Sequence, residues 1–269
     1  MARHARMQPT LPAKLQRLLV ALALPVLVGC AELPPAAKQQ KTDAENAYRS
    51  NNYQAAMGTL NDFLKNYPDH PESAEAYYLR ALCEEKQSNK MKAAEDAQHC
   101  IRLSRDAVLT AKAHAMTATL LYEAGKSAAA IPHFASALKG LPDGPPADLV
   151  RYNYGVCLQR EGQWKQARME FAAVPRLFPS SPLAENAKRM NEWPNDFFTI
   201  QCGAFRDKPE ANKLVDKLKK AGLSPRIEAR SRSGETLQMV YVGQYPRYSQ
   251  AQSALTAVQR QVRDASIAP

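Results

Sequence analysis

Catalytic signatures are what this sequence most conspicuously lacks. No serine sits in a Gly-x-Ser-x-Gly turn, and there is no His-Glu-x-x-His and no Cys-x-x-Cys. The nucleophile elbow of hydrolases, the zinc helix of metalloproteases and the dithiol of redox proteins are thereby excluded. His4, His70, His99, His114 and His133 are scattered without metal-ligand spacing. No glycine-rich phosphate loop occurs; Gly222 and Gly234 stand alone as turn residues. The acids Glu84-Glu85 and Glu95-Asp96 are neighbours in sequence, expected on solvated helix faces. Nothing nominates the two facing carboxylates that glycoside hydrolysis needs. A non-catalytic protein with no metal and no cofactor is therefore expected. Long apolar runs are missing too. The run at 18–28 falls short of the roughly 20 residues of a membrane-spanning helix.

That short run has a different use. Arg3, Arg6, Lys14 and Arg17 precede it, the order of an export signal. It ends in Leu27-Val28-Gly29-Cys30, which resembles the bacterial lipobox. The resemblance implies removal of residues 1–29 and a diacylglycerol on Cys30. With Ala31 rather than Asp next, it also implies the outer membrane of a Gram-negative envelope, the chain facing the periplasm. The net charge of +10 loses four charges with such a segment. Residues 196–269, with 12 basic and 7 acidic side chains, keep a net +5. The remaining cysteines are Cys83, Cys100, Cys157 and Cys202. Their even number permits disulfides in an oxidising compartment, but buried free thiols are the expected state.

Residues 30–42, with Pro34-Pro35 and then polar side chains, read as a tether. Repeats follow over 43–193. Asn51-x-Tyr53-x-x-Ala56, Asn89-x-Met91-x-x-Ala94, Gly125-x-Ser127-x-x-Ala130 and Gly162-x-Trp164-x-x-Ala167 share one pattern, with alanines 38, 36 and 37 residues apart. Leu60, Phe63 and Pro68 recur as Phe134, Ala137 and Pro142 and as Phe171, Val174 and Pro179; in the second repeat the counterparts are Gln98, Ile101 and Asp106. The pattern resembles tetratricopeptide repeats, whose usual period is about 34 residues. Small alanines let paired helices approach closely, and stacked pairs curve around a concave face. Tyr77, Tyr78, Tyr152 and Tyr154 fall on the first helices, where filling gaps between helices is the expected role of each. A short capping helix is expected over 183–193.

Residues 196–269 change period. Short β-rich runs at 197–205 and 237–245 each end in Gly-x-aromatic, and each precedes an amphipathic helix, at 208–221 and 249–262. Gly222 stops the first. A strand near 224–230 turns through Ser233-Gly234, and 265–267 can supply a last strand. The order is βαββαβ, a ferredoxin-like α+β unit. Gln201, Gly203, Ala204 and Phe205, answered by Val240, Val242, Gly243 and Tyr245, resemble the SPOR domain, a small bacterial module that binds peptidoglycan. Met239 stands where that family usually has Arg, and Gln244 where it has Pro. Strand parity sets Phe198, Ile200, Cys202, Val240 and Val242 toward the helices. Phe197, Thr199, Gln201, Leu237, Met239 and Tyr241 share the other face, expected to be open. The resemblance implies that this face binds glycan strands stripped of their stem peptides, with Tyr241 stacking on a sugar ring.

A multidomain chain is thus expected: an all-α tetratricopeptide superhelix, then the α+β unit. As a lipid-anchored scaffold it would hold peptidoglycan glycan strands at one end and a protein partner on the repeats, in wall remodelling or division. The alternative is outer-membrane protein assembly, with the last domain docking a protein. The βαββαβ order also occurs in RNA-recognition modules, but the aromatic-rich strand signature is missing and the chain reads as exported, so no nucleic acid is expected.

Overall fold

The computed structural model describes residues 32–232 and 234–269. Cys30, the export segment and Ser233 lie outside them. Four antiparallel helix pairs come first: α1 (Pro35–Arg49) with α2 (Tyr53–Asn66), α3 (Ser73–Lys86) with α4 (Lys90–Leu103), α5 (Ala107–Glu123) with α6 (Ser127–Gly140), and α7 (Ala147–Arg160) with α8 (Trp164–Leu177). The short helix α9 (Ala184–Asn191) caps the stack, packing on α8. Both the mostly helical superhelix and the mixed unit that follows it are present as expected.

The stretch set down as a tether is helical from Pro35 onward. Pro35 opens α1 at a position where its missing N–H costs nothing. Ala37 and Ala44 bury one helical face, and Leu33 packs beneath it. Two prolines therefore mark a helix start here, not an extended linker.

One residue in each pair makes the turn from first helix to second. Asn51, Ser88, Gly125 and Gly162 all have positive φ, each 37 residues after the last. The second repeat is therefore shifted by one from the spacing read in the sequence. Ser88, not Asn89, takes the left-handed position. Ala93, Ala97 and Cys100, not Ala94, Gln98 and Ile101, occupy the fully buried sites. Asn89 instead donates from its side chain to Glu84 at 2.7 Å. At the crossing points Ala56, Ala93, Ala130 and Ala167 are all buried.

Two acids expected in solvent are buried as well. Asp96 accepts two hydrogen bonds of 2.7 Å from Arg80, whose guanidinium also lies 5.5 Å from the Tyr77 ring centre. Glu84 is buried against Asn89. The four described cysteines are free and buried. Burial pushes the Cys100 thiol up to about 12, which removes its reactivity.

The second unit is a four-stranded antiparallel sheet with two helices on one face. Strands β1 (Phe198–Phe205), β2 (Pro225–Arg232), β3 (Glu235–Tyr245) and β4 (Ser266–Ala268) take the order β2-β3-β1-β4. Helices α10 (Lys208–Lys220) and α11 (Tyr248–Gln259) cover Ile200, Cys202, Val240 and Val242, the face that strand parity assigns to them. The register between β1 and β3 shifts twice, near Phe198–Ile200 and near Gln201–Gly203. Next to each shift lies a Gly-x-aromatic triplet. A Cβ on Gly203 would stand 2.6 Å from the Phe205 ring, and one on Gly243 only 2.3 Å from that of Tyr245. Both aromatic rings fold back over a bare backbone and join the helix-side core. The doubled triplet is thus a packing device.

Candidate functional site

The helix-free face of the sheet is built by alternate residues of three strands. Gln201 of β1 pairs with Tyr241, while Arg226, Glu228 and Arg230 of β2 lie opposite Tyr241, Met239 and Leu237 of β3. This face is not open. Tyr241 is 3% exposed and Met239 6%. Thr199 is completely buried, its hydroxyl within hydrogen-bond reach of the carbonyls of Gly243, at 2.9 Å, and Val242. Phe197, Gln201 and Leu237 are half-buried. Thr199 therefore braces the β3 bulge and has no surface to offer a ligand.

Residues outside the two motif strands close the face. The guanidinium of Arg226 lies 5.3 Å from the Tyr241 ring centre and 5.4 Å from that of Phe197. It donates to Gly243 O at 2.7 Å and to Glu228 at 2.9 Å, while its second terminal nitrogen is buried with no hydrogen-bond partner. Arg230 donates to Glu228 at 2.8 Å and stacks 5.0 Å from the Trp193 ring centre. Burial alone pushes the Glu228 carboxyl up, but the hydrogen bonds from Arg226 and Arg230 outweigh it and hold it below the ordinary range. Burial also raises the Tyr241 phenol. Arg226, Arg230 and Trp193 were missed in the sequence. The available signal was the Arg-x-Glu-x-Arg alternation of β2, which sets three charges on one face of a strand.

Trp193 and Phe197 belong to the link between the two units. The Trp193 indole donates to Phe197 O at 3.3 Å. Arg168 of α8 donates to the carbonyls of Trp193, at 3.4 Å, and Asn195, at 3.2 Å, and pairs with Asp196. Behind the link, Trp164 donates from its indole to Pro246 O at 3.1 Å, and its ring centre lies 4.8 Å from that of Phe198. Arg160 of α7 lies 5.0 Å from the ring centres of both Tyr122 and Tyr248. The repeats and the sheet thus share a packed joint.

The first helices of the pairs line a second candidate surface. A hollow of about 290 Å³ among Lys41, Tyr48, Glu75 and Leu109 meets one of about 190 Å³ among Glu85, Met116, Leu120 and Leu149. Tyr78 and Lys112 line both. Burial pushes the Tyr78 phenol up to about 12. Tyr77 is buried and stacks 4.6 Å from His99, while Tyr152 and Tyr154 pack on Phe171 and Phe134. Of the four tyrosines Tyr78 alone lines the two hollows; the others fill gaps.

Comparison with known families fits these two halves. Residues 194–268 match the SPOR domain, and 121–190 match a tetratricopeptide repeat family. The chain joins tetratricopeptide repeats to a SPOR domain. Residues 33–141 also match YfiO, an outer membrane lipoprotein family. These are families of binding and scaffold domains. No curated protein matches the chain. Among solved structures, a tetratricopeptide repeat protein from Parabacteroides merdae is 12% identical with a TM-score of 0.50, covering 59% of this chain and 60% of its own. YrrB, a TPR protein with an unusual peptide-binding site, is 19% identical (TM-score 0.49, 58% of this chain and 79% of its own). PilW, a type IV pilus biogenesis factor, is 20% identical (TM-score 0.47, 61% and 74%). At such identities the Parabacteroides likeness speaks to the fold of the repeats alone. Among the described residues no helix is long and apolar enough to cross a membrane.

Proposed function

We propose that this protein is a non-catalytic envelope scaffold, anchored in the outer membrane through Cys30, that holds denuded peptidoglycan strands on its SPOR domain and a protein partner on its repeats. The SPOR match over 194–268 carries the wall-binding half of this reading. On the sheet face, Gln201 offers an amide that both donates and accepts, and Phe197 and Leu237 offer apolar surface at its rim. Tyr241 and Met239 form the floor. The hollows around Tyr78 and Lys112 provide the partner surface. The test is co-sedimentation of the full chain with sacculi, with or without prior amidase treatment. Retention by amidase-treated sacculi, reduced by Gln201→Ala, is the expected result. Cys30→Ser should move the protein out of the membrane fraction.

One observation favours a second reading, in outer-membrane protein assembly. The YfiO match covers 33–141, the whole of the first three helix pairs. Under that reading the last domain docks a protein. Equal failure on both kinds of sacculi would bring it forward.

A further inference from the structure

Trp193 and Phe197 meet arginines of the one sheet face that has no helix over it, Trp193 packs also against the joint cluster of Trp164 and Phe198, and neither belongs to the sheet. Their placement is held from both sides. From the sheet, Arg230 stacks on Trp193, and Arg226 stands within cation–π distance of Phe197 and Tyr241. From the repeats, Arg168 grips the carbonyls of Trp193 and Asn195 and the carboxylate of Asp196. The indole N–H closes the loop onto Phe197 O. With Arg226 over its ring, Tyr241 keeps only 3% of its surface, although strand parity puts it on the side away from the helices. A ring held on this face covers surface that the glycan reading assigns to sugar.

We propose that Trp193 is a clasp that occupies the glycan face of the SPOR domain beside Phe197, latched through the link by Arg168 of the last repeat, so that glycan binding requires the repeats to release it. This rests on the glycan reading of that face. Its consequence is that binding strength is set by how the two units are joined. A site competent only in the fraction of molecules whose clasp is open binds more weakly by that fraction. Any partner that shifts α8 against the sheet would then control access to the wall.

The experiment is co-sedimentation of the full chain with amidase-treated sacculi. Compared are wild type, Arg168→Gln, Trp193→Ala, Trp193→Phe and the double variant Trp193→Ala with Gln201→Ala. Arg168→Gln leaves the sheet untouched, which guards against loss of fold. With the clasp closed in about nine molecules of ten, Arg168→Gln and Trp193→Ala strengthen apparent binding roughly tenfold. Trp193→Phe stays near wild type, and the double variant loses the gain. Fluorescence supplies a second readout: the emission that Trp193→Phe removes is that of Trp193, and adding solubilised denuded glycan to the wild type shifts it to the red as the ring leaves the face. Weaker binding by Trp193→Ala would make Trp193 part of the sugar platform and overturn the clasp. Equal binding by wild type, Arg168→Gln and Trp193→Ala would also overturn it, while leaving the glycan reading intact. If no variant is retained at all, the glycan reading fails and the clasp with it.

Discussion

The glycines of the repeats and those of the sheet do different work, and the difference separates the two halves of the molecule. Gly125 has φ of 72° and nothing within 4 Å of where a Cβ would stand. Its role is conformational, so Asn51 and Ser88 fill the same turn at a modest cost. Gly203 has no unusual φ, but the Phe205 ring lies where its Cβ would be. Its role is steric, and no other residue can take it without moving the ring. Gly243 combines both constraints. A repeat tolerates variation because each unit meets only its neighbours through small residues at fixed spacing. The sheet concentrates its constraints at two bulges.

The joint between the halves should show the largest effect. Trp164→Ala removes a buried indole, its tilted ring contact with Phe198 and its hydrogen bond to Pro246 O. A loss of about 3–5 kcal/mol is expected. Calorimetry should show one transition in the wild type and two in the variant, with the sheet unfolding first. A single transition in both would mean that the joint does not couple the halves.

Next come the glycines themselves. Gly243→Ala should cost about 1–3 kcal/mol from overlap with the Tyr245 ring, and roughly 1–2 more from its left-handed backbone. Gly203→Ala carries only the first term and Gly125→Ala only the second. Denaturant midpoints should therefore fall in the order Gly125→Ala, Gly203→Ala, Gly243→Ala, with the last the least stable. If Gly125→Ala costs as much as Gly243→Ala, the contrast between open and crowded glycines is wrong.

This contrast also explains what was legible in the sequence. The 37-residue recurrence and the parity of β1 and β3 could be read because periodicity is carried by local geometry alone. The one-residue slip in the second repeat arose because Asn89 is a better left-handed residue than Ser88. Asn89 is instead engaged by Glu84, a contact that spacing cannot reveal. The face carrying Gln201, Leu237, Met239 and Tyr241 was legible for the same reason as the core. Its closure was not, because Trp193, Arg226 and Arg230 come from a neighbouring strand and the link. Burial of Asp96 was hidden likewise, since Arg80 lies on the preceding helix.

Acid should weaken the halves in different windows. His114 and His133 lie 3.0 Å apart, nitrogen to nitrogen, between α5 and α6. Burial lowers both pKa values, and for His114 the charge of His133 adds to it. A depressed folded pKa means that the unfolded chain takes up the proton first. Stability of the repeats is then full above the ordinary value of 6.5 and falls as the pH drops below it toward the folded values. Glu228 has the same sign but a lower window, beginning below its ordinary 4.5. Far-UV melting followed from pH 7.5 to 5 should show a decline that His114→Gln with His133→Gln flattens and Glu228→Gln leaves unchanged. A decline insensitive to the histidine pair would place the acid sensitivity elsewhere.

The smallest effect tests the period itself. Ser88 holds φ of 64° where its structural counterparts Gly125 and Gly162 are free to do so. Its amide donates to Glu85 O at 2.9 Å, a backbone bond that glycine keeps. Ser88→Gly should therefore stabilise the protein by relieving left-handed strain of roughly 1 kcal/mol, less a few tenths for the added freedom of the unfolded chain. Asn89→Gly, at the position that the sequence spacing favours, should destabilise instead. It removes the side-chain bond to Glu84, leaves a buried carboxylate short of a donor and gains nothing at a φ of −85°. Opposite signs for these neighbours in chemical denaturation would fix the turn at Ser88 and the uniform 37-residue spacing; the same sign for both would show that this turn settles either residue alike.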